Sequence, residues 1–528
     1  MRNSHSVAEI RTAERALMAR LPDGALMQRA AAGLAAACAR LLGQVYGARV
    51  VVLAGSGDNG GDALFAAAML ARRGAVVTAV AAGSRVHAGG TAALRGAGGT
   101  LVEAADQATG AAIGRAELII DGLLGIGGSG GLREPGASLA SLASHSGATV
   151  VAADLPSGID ADTGEMAGAA VRADVTITFG TWKPGLLIDP GASQAGVVEL
   201  IDIGLRPHLG PPDVMAMQDA DVAACLPRPS AESDKYRRGV LGIVAGSNRF
   251  TGAATLAIGG ALHGGAGMVR LVSAERAAAV ARQHWPEALI TIADAADPAA
   301  TIETAGRVQA WVAGPGMGTD DDAAGLLAAV LATDVPVLVD ADGLTVLSEH
   351  RELLPRTAPT LITPHAGELA RLTGADRADI EARRLWHARA AAAELGVTVL
   401  LKGSTTVIAT PPGTPPGSPP GTPPGSPPGT PPGSPPGTPP GRLAESLPVP
   451  ALVNPTGTPW LATAGSGDVL SGLAGSLLAQ GLDPRQAAAA AAYLHGIAAR
   501  LAADGAPIGA FDLVRSLPAA YRGLAGWQ

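Results

Sequence analysis

The chain has 528 residues, 47% of them hydrophobic and 16% charged, which is enough for two to four packed domains of about 100–200 residues. Its charges sum to −8 with no basic block, which argues against non-specific binding to nucleic acid or to an acidic membrane surface. Only Cys38 and Cys225 are present, so neither a disulfide framework nor a zinc cluster is expected. The first residues lack the apolar core of a signal peptide, and no uninterrupted apolar run of about 18 residues appears. A soluble protein of the reducing cytoplasm is the expectation. Arginine outnumbers lysine by 35 to three, so Lys183, Lys235 and Lys402 each merit attention.

In chain order, Arg49-Val-Val-Val-Leu-Ala54 reads as a strand, GSGDNGGD as a turn and Ala63–Arg73 as a helix. AVVTAVAAG, AELIIDGLLGIG and ATVVAADLPSGID repeat the grammar of a short apolar run followed by glycine-containing turn chemistry. Strands alternating with helices predict parallel pairing through right-handed crossovers, hence a doubly wound α/β sheet. A Pro/Arg/Ser-rich connector, Leu226–Ser233, marks a boundary, giving domains over 1–225 and 226–528. GVLGIVAGS, AWVAGPGMG, PVLVDADGL, TLITPHAGE, TVLLKGSTTVIA and LATAGSGDVLSGLAG then build a second α/β unit. Within it, Pro411–Gly441 alternates PPGT with PPGS, a four-residue period that excludes the collagen triple helix. With proline at half its positions and nothing apolar to bury, the segment is expected to be a disordered surface insertion.

Gly55–Asp62 follows a strand and opens a helix, where backbone amides approach a ligand and favour phosphate. Its GxGxxG spacing lacks the acidic ribose ligand expected about 20 positions on. Asp121 ends the strand ELIID, and Asp154 ends VVAAD ahead of Ser157. The carboxyl ends of parallel strands converge on one crevice, so Asn59, Asp121, Asp154 and Ser157 are expected there together. Hard oxygen ligands with little net charge suit an alkali or alkaline-earth cation beside an acid/base group.

GSGDNGGD, DGLLGIGGSGG and DLPSGID, in this order, resemble the NAD(P)H-hydrate epimerase domain over about residues 10–225. The resemblance implies a Rossmann-like fold in which Asp58, Asn59, Gly60, Gly61 and Asp62 bind the hydrated dinucleotide. It assigns the same role to Gly125, Ile126, Gly127 and Gly128, and to Ser129, Gly130 and Gly131. It implies K⁺ at Asn59, Asp121 and Ser157, with Asp154 as the catalytic group that contacts the reacting ring. Asp58 stands where the family usually has Asn, an extra negative charge beside a phosphate. TWKPGL, containing Lys183, also fits the family.

In the second half, Gly465-Ser466-Gly467 places free amides at a helix start near Asp468, an anion hole with a base beside it. No Walker-type GxxxxGK[ST] occurs. Together with GPGMG, VLVDADGL, TPHAGE, LKGSTT and NPTGTPW, this segment resembles the ribokinase-like superfamily and its ADP-dependent NAD(P)H-hydrate dehydratase branch. Carried over, Ala253, Gly316, His365 and the catalytic Asp468 would contact the hydrate. Lys402, Gly403, Ser404, Thr405 and Thr406, with Gly467, would hold the adenine nucleotide. TPHAGE and NPTGT replace the family's TPHPGE and NPTGN without removing a charged group.

The resemblances imply one chain that epimerises R- and S-NAD(P)H-hydrate and dehydrates the S form at the expense of ADP, restoring NAD(P)H. K⁺ would serve the first domain and Mg²⁺ the second. The expected partners are the hydrates and an adenine nucleotide, without nucleic acid or membrane, in a homo-oligomer. The alternative is a hydroxymethylpyrimidine-type kinase fused to a non-catalytic nucleotide- or RNA-binding module.

Overall fold

The computed structural model describes every residue except 84, 129, 355, 414–448 and 527–528. It divides into two compact units: residues 2–215 with 382–384, and residue 1 with 216–381 and 385–528.

The first unit is built on seven strands: Arg49–Ala54 (β1), Val76–Ala81 (β2), Thr100–Glu103 (β3), Leu118–Gly122 (β4), Thr149–Ala153 (β5), Val175–Phe179 (β6) and Val197–Ile201 (β7). All pair in parallel, in the order β3-β2-β1-β4-β5-β6-β7. β1 shows why this run is a strand covered on both faces. Val50, Val52 and Ala54 point to one side and pack with Leu34 and Cys38 of the helix Ala25–Leu42 and Leu64 and Ala67 of the helix Asp58–Arg72. Val51 and Leu53 point to the other side, against Ile113, Leu139 and Ala143. Truncating Leu34, which is fully buried, to Ala would cost about 2–5 kcal/mol. The winding direction reverses between β1 and β4, so the turns that follow these two strands open a crevice between them.

The second unit continues with Val240–Val244 (β8), Met268–Ser273 (β9), Leu289–Ile292 (β10), Ala310–Ala313 (β11), Val337–Val339 (β12), Thr360–Ile362 (β13), Thr398–Leu401 (β14), Thr406–Ala409 (β15) and Ala451–Asn454 (β16). These lie in the order β16-β15-β14-β13-β12-β11-β8-β9-β10. β8 to β14 are parallel; β15 and β16 run antiparallel, with Ile408 opposite both Leu400 and Leu452. The helices Gly252–His263 and Ser466–Ala479 meet backbone to backbone. A Cβ on Gly472 would lie 1.9 Å from the Ala257 carbonyl oxygen, and one on Gly260 would lie 2.2 Å from that of Val469. The two glycines thus fix where the N-terminus of Ser466–Ala479 falls on the sheet.

Residues 216–225, grouped with the first domain on sequence grounds, fold with the second unit. Their helix Asp219–Cys225 is tied there by the Tyr493 hydroxyl, which donates to Asp219 at 2.6 Å. The repeat expected over Pro411–Gly441 lies outside the described residues from 414 onward. Among the described residues, no helix is long and apolar enough to cross a membrane.

Candidate active sites

The first crevice is a cleft of about 500 Å³ at the carboxyl ends of β1, β4 and β5. Its wall includes Gly57, Asp58, Asn59 and Asp62 after β1, Leu123–Gly128 after β4, and Asp154 and Lys183. Asp154 follows β5 with φ at 67°, a left-handed conformation that an aspartate tolerates and that turns its carboxylate sharply out of the strand direction. Oδ1 is held by three donors: the Phe179 amide at 3.1 Å, the Thr178 hydroxyl at 3.2 Å and the Lys183 ammonium. Lys183 is only 1% exposed and also donates to Thr178 Oγ1 at 2.9 Å and to the Phe179 carbonyl at 3.0 Å. With Oδ1 anchored, Oδ2 is the oxygen left for a ligand in the cleft.

Asp121, fully buried, takes the Ser157 hydroxyl at 2.7 Å on Oδ1 and the Ser157 amide at 2.8 Å on Oδ2. Burial pushes its carboxyl up to about 6, and the hydrogen bonds from Ser157 and Leu123 only partly offset this. Asn59 Nδ2 donates to the Leu124 carbonyl at 2.9 Å, and Ser157 Oγ lies 3.1 Å from the same oxygen. Asn59, Asp121 and Ser157 are therefore brought together around Leu124, whose amide also donates to Ser157 Oγ at 2.8 Å.

The glycines divide by role. Gly125 to Gly128 line the cleft, whereas Gly60 and Gly61 pack behind it: their Cβ atoms would meet the Gly55 carbonyl at 2.3 Å and His87 at 3.0 Å. Gly131 lies against Gly168, which a Cβ would approach to 2.5 Å, and Gly130 has φ at 77°; neither is part of the cleft wall. Ser129 lies outside the described residues. Asp62 lines the cleft but leaves Oδ1 buried without a partner among the described residues. Burial, then the charges of Asp154, Asp58 and Glu14, hold its carboxyl well above the usual range.

In the second unit, the helix Ser466–Ala479 begins after Gly465, at φ 87°, so Asp468 sits inside its first turn rather than capping it. Burial and the carboxylates Asp340, Asp342 and Glu368 push the Asp468 carboxyl up to about 7, with Lys402 opposing. Lys402, at the end of β14, donates to Asp340 Oδ1 at 2.7 Å and lies 3.7 Å from Glu368. Burial works against its charge, but Asp340, Glu368 and Asp468 outweigh that and raise its pKa. Ser471 Oγ donates to Asp340 Oδ2 at 2.5 Å, and a Cβ on Gly467 would come within 3.5 Å of Lys402 Nζ. Lys402, Gly467 and Asp468 therefore share one polar cluster around Asp340.

His365 caps the helix Ala366–Thr373, accepting the Glu368 amide at 3.1 Å, while Glu368 accepts the His365 amide at 2.7 Å. It bridges to Lys402 across neighbouring strand ends, and burial lowers its pKa. Gly403, Ser404 and Thr405 form the turn between β14 and β15, which Thr406 opens. Gly316, with φ at 61°, abuts Ala253, whose Cβ would be 2.8 Å from one placed on Gly316. A Cβ on Gly465 would lie 2.4 Å from Leu256, on the same helix as Ala253.

Several residues of these sites were not singled out by sequence reading. Arg11, Glu14 and Met18 reach the first cleft from the helix Val7–Met18. Asp340, Glu368 and Ser471 complete the second cluster, and His495 lies against its helix, 3.0 Å from the Ser466 carbonyl. The usable signal was lysine scarcity, because Lys183 and Lys402 each mark a buried aspartate.

A glycine-lined crevice at a sheet reversal and an aspartate inside a helix's first turn beside a half-buried lysine define a two-domain nucleotide-handling enzyme of the α/β class. Comparison with known proteins makes this specific. Residues 23–185 match the family model described as YjeF-related protein N-terminus, and residues 241–419 and 447–516 match that of NAD(P)H-hydrate dehydratase. The chain is 46% identical over 514 residues to a bifunctional NAD(P)H-hydrate repair enzyme Nnr of Mycobacterium leprae, covering 96% of each chain. It is also 46% identical over 495 residues to that of Mycobacterium tuberculosis H37Rv, covering 93% of this chain and 92% of the relative. A crystal structure of the ADP/ATP-dependent NAD(P)H-hydrate dehydratase of Bacillus subtilis, co-crystallised with ATP and Mg²⁺, is 28% identical. It covers 58% of this chain and 98% of its own, at a TM-score of 0.47. The chain belongs to the bifunctional NAD(P)H-hydrate repair enzyme family.

Proposed function

We propose that the first unit interconverts the R and S epimers of hydrated NADH and NADPH, and that the second dehydrates the S form with ADP. The observation that carries this reading is the second cluster. Asp468 is a carboxyl poised near neutrality at the start of a helix, beside Lys402 and the Gly465–Gly467 amides. A base with a pKa near the working pH combines the right protonation state with the largest driving force for proton transfer.

In this reading Asp468 accepts the proton of the hydrate hydroxyl as that oxygen attacks the terminal phosphorus of ADP. The Gly465–Gly467 amides and Lys402 stabilise the charge on the transferring phosphoryl group. AMP leaves. The phosphorylated hydroxyl is then expelled as phosphate by the lone pair of the ring nitrogen, loss of a ring proton restoring NAD(P)H. Mg²⁺ would ride on the nucleotide's phosphates, as that ion commonly does, and would supply neutralising charge there. Lys402 to Thr406 and Gly467 would hold the nucleotide, and Ala253, Gly316 and His365 the hydrate.

In the first unit, Asp154 Oδ2 would act on the hydrated ring, while Asp58–Asp62 and the loop from Gly125 hold the dinucleotide. The oxygen set of Asn59, Asp121, Ser157 and the Leu124 carbonyl suits a large, singly charged ion: one carboxylate, buried and without a cationic partner, faces otherwise neutral donors. K⁺ bound there supplies a fixed positive charge at the cleft floor.

Incubating hydrated NADH with ADP and Mg²⁺ and following the NADH absorbance band tests the whole reading. Complete recovery requires both units; no recovery from either epimer overturns it. Epimerisation is expected to slow in K⁺-free buffer and in Asp121→Ala, and equal rates with and without K⁺ would count against the cation site.

A further inference from the structure

The charge inventory of the first cleft leaves a gap that the assigned residues do not fill. Four carboxylates line it, from Glu14, Asp58, Asp62 and Asp154. Burial, then the charge of Asp154, holds the carboxyls of Glu14 and Asp62 above their ordinary values, so further negative charge is disfavoured there. Among the described lining residues the cations are Arg11 and Lys183. Lys183 is buried and committed to Asp154, Thr178 and the Phe179 carbonyl, so it has little left for a ligand. A dinucleotide brings a pyrophosphate, and in the NADP form a further phosphate, into a cleft lined by more carboxyl groups than cations.

Arg11 is placed to offset this. It projects from the helix Val7–Met18, is exposed, and makes no salt bridge or hydrogen bond among the described residues, although its charge acts on the carboxyls of Glu14 and Asp162. Its guanidinium lies over the glycine loop: a Cβ on Gly127 would sit 3.2 Å from Arg11 Nη2. Helix and loop converge although 116 positions separate Arg11 from Gly127 in sequence.

We infer that Arg11 is a substrate-binding residue of the first unit, holding a phosphate of the dinucleotide against the Gly125–Gly128 loop. This rests on the epimerase reading of the cleft. A guanidinium presents two parallel donors to a phosphate and stays charged at every working pH.

The test compares the parent chain with Arg11→Ala and Arg11→Lys. Initial rates of epimerisation of hydrated NADH and hydrated NADPH are measured at low and high salt. A hydrogen bond to a charged group is worth about 1.5–3 kcal/mol, so Arg11→Ala is expected to raise KM roughly tenfold or more, with kcat within about twofold. Arg11→Lys should recover part of that loss, and added salt should narrow the difference. A larger effect on hydrated NADPH than on hydrated NADH would place Arg11 at the extra phosphate, and an equal effect would place it at the pyrophosphate. Unchanged KM in Arg11→Ala for both substrates overturns the inference. A parent without epimerase activity removes the epimerase reading but still leaves Arg11 decidable. NADP⁺ titrated calorimetrically into ADP-saturated parent and Arg11→Ala should then show a roughly tenfold weaker Kd in the variant, and equal Kd values would overturn it.

Discussion

Each unit sets one of the chain's three lysines against a buried aspartate at a strand end, yet the two pairs are wired differently. In the first, Lys183 is bound to Asp154 itself, the carboxylate that faces the cleft. In the second, Lys402 is bound to Asp340, and the residue assigned as base, Asp468, stands one step away with its carboxyl raised to about 7. The backbone is bent at both places: Asp154 itself has φ at 67°, whereas in the second unit the left-handed residue is Ala341, at 49°, just past Asp340. In the proposed roles, a lysine placed directly on the acting carboxylate would fix its direction, and a lysine placed on its neighbour would leave the acting carboxylate free to take up and release a proton while keeping a positive charge for phosphate.

The largest expected effect comes from removing each acting carboxylate in turn. Asp468→Asn keeps the shape and loses the base, so ADP-dependent dehydration should fall by about 10²–10⁴ while the epimers still equilibrate. Asp154→Asn should consume the S hydrate at the parent rate and leave the R form to its slow spontaneous conversion. Chromatographic separation of both epimers over time reads the two variants. Loss of both activities in either one would break the separation of roles.

Lys183→Met probes the direct pair. It strands a buried carboxylate, which costs about 3–5 kcal/mol. Denaturant unfolding of the first unit should shift by that amount, with epimerisation lost and dehydration retained. A stable, active variant would show that Asp154 holds its direction through Thr178 and Phe179 alone.

The indirect pair is tested by pH. Since Asp468 must be ionised to act as base and burial holds its carboxyl near 7, kcat/KM for dehydration should fall tenfold per unit below about pH 7. Lys402 is the charge that opposes this rise, so Lys402→Met should move the acid limb of the profile to higher pH. A limb that stays in place would mean that Lys402 acts on the nucleotide alone.

The sequence made the glycine turns and strand-end acids legible, because strand, Gly-rich turn and helix recur and the carboxyl ends of parallel strands must converge. It did not disclose Arg11 and Glu14, which come from an ordinary amphipathic helix lying before β1. Nor did it disclose Asp340. VLVDADGL was visible, but its partner Lys402 lies 62 positions on, and only the neighbouring of β12, β13 and β14 joins them. Within the GSGDNGGD turn, Gly60 and Gly61 have a reason to be small that the motif does not show, because the Gly55 carbonyl and His87 stand where a Cβ would go. A glycine in a sequence does not say which side of it is crowded.

The hairpin of β15 and β16 has one more consequence. β15 leaves the Lys402–Thr405 turn and β16 returns to Asn454, so the connection over residues 410–450 is attached about 13 Å away, one four-residue strand length from the nucleotide turn. The Ile408–Leu452 pairing holds both attachment points side by side whatever spans them. Exchanging the repeat for a short Gly-Ser link should therefore stabilise the second unit by no more than about 2 kcal/mol, from loop closure at about 0.6 kcal/mol per doubling of length. Dehydration should be unaffected. The same port would accept a fluorescent domain or an affinity tag, giving the enzyme a handle in mid-chain that leaves both termini and both clefts untouched.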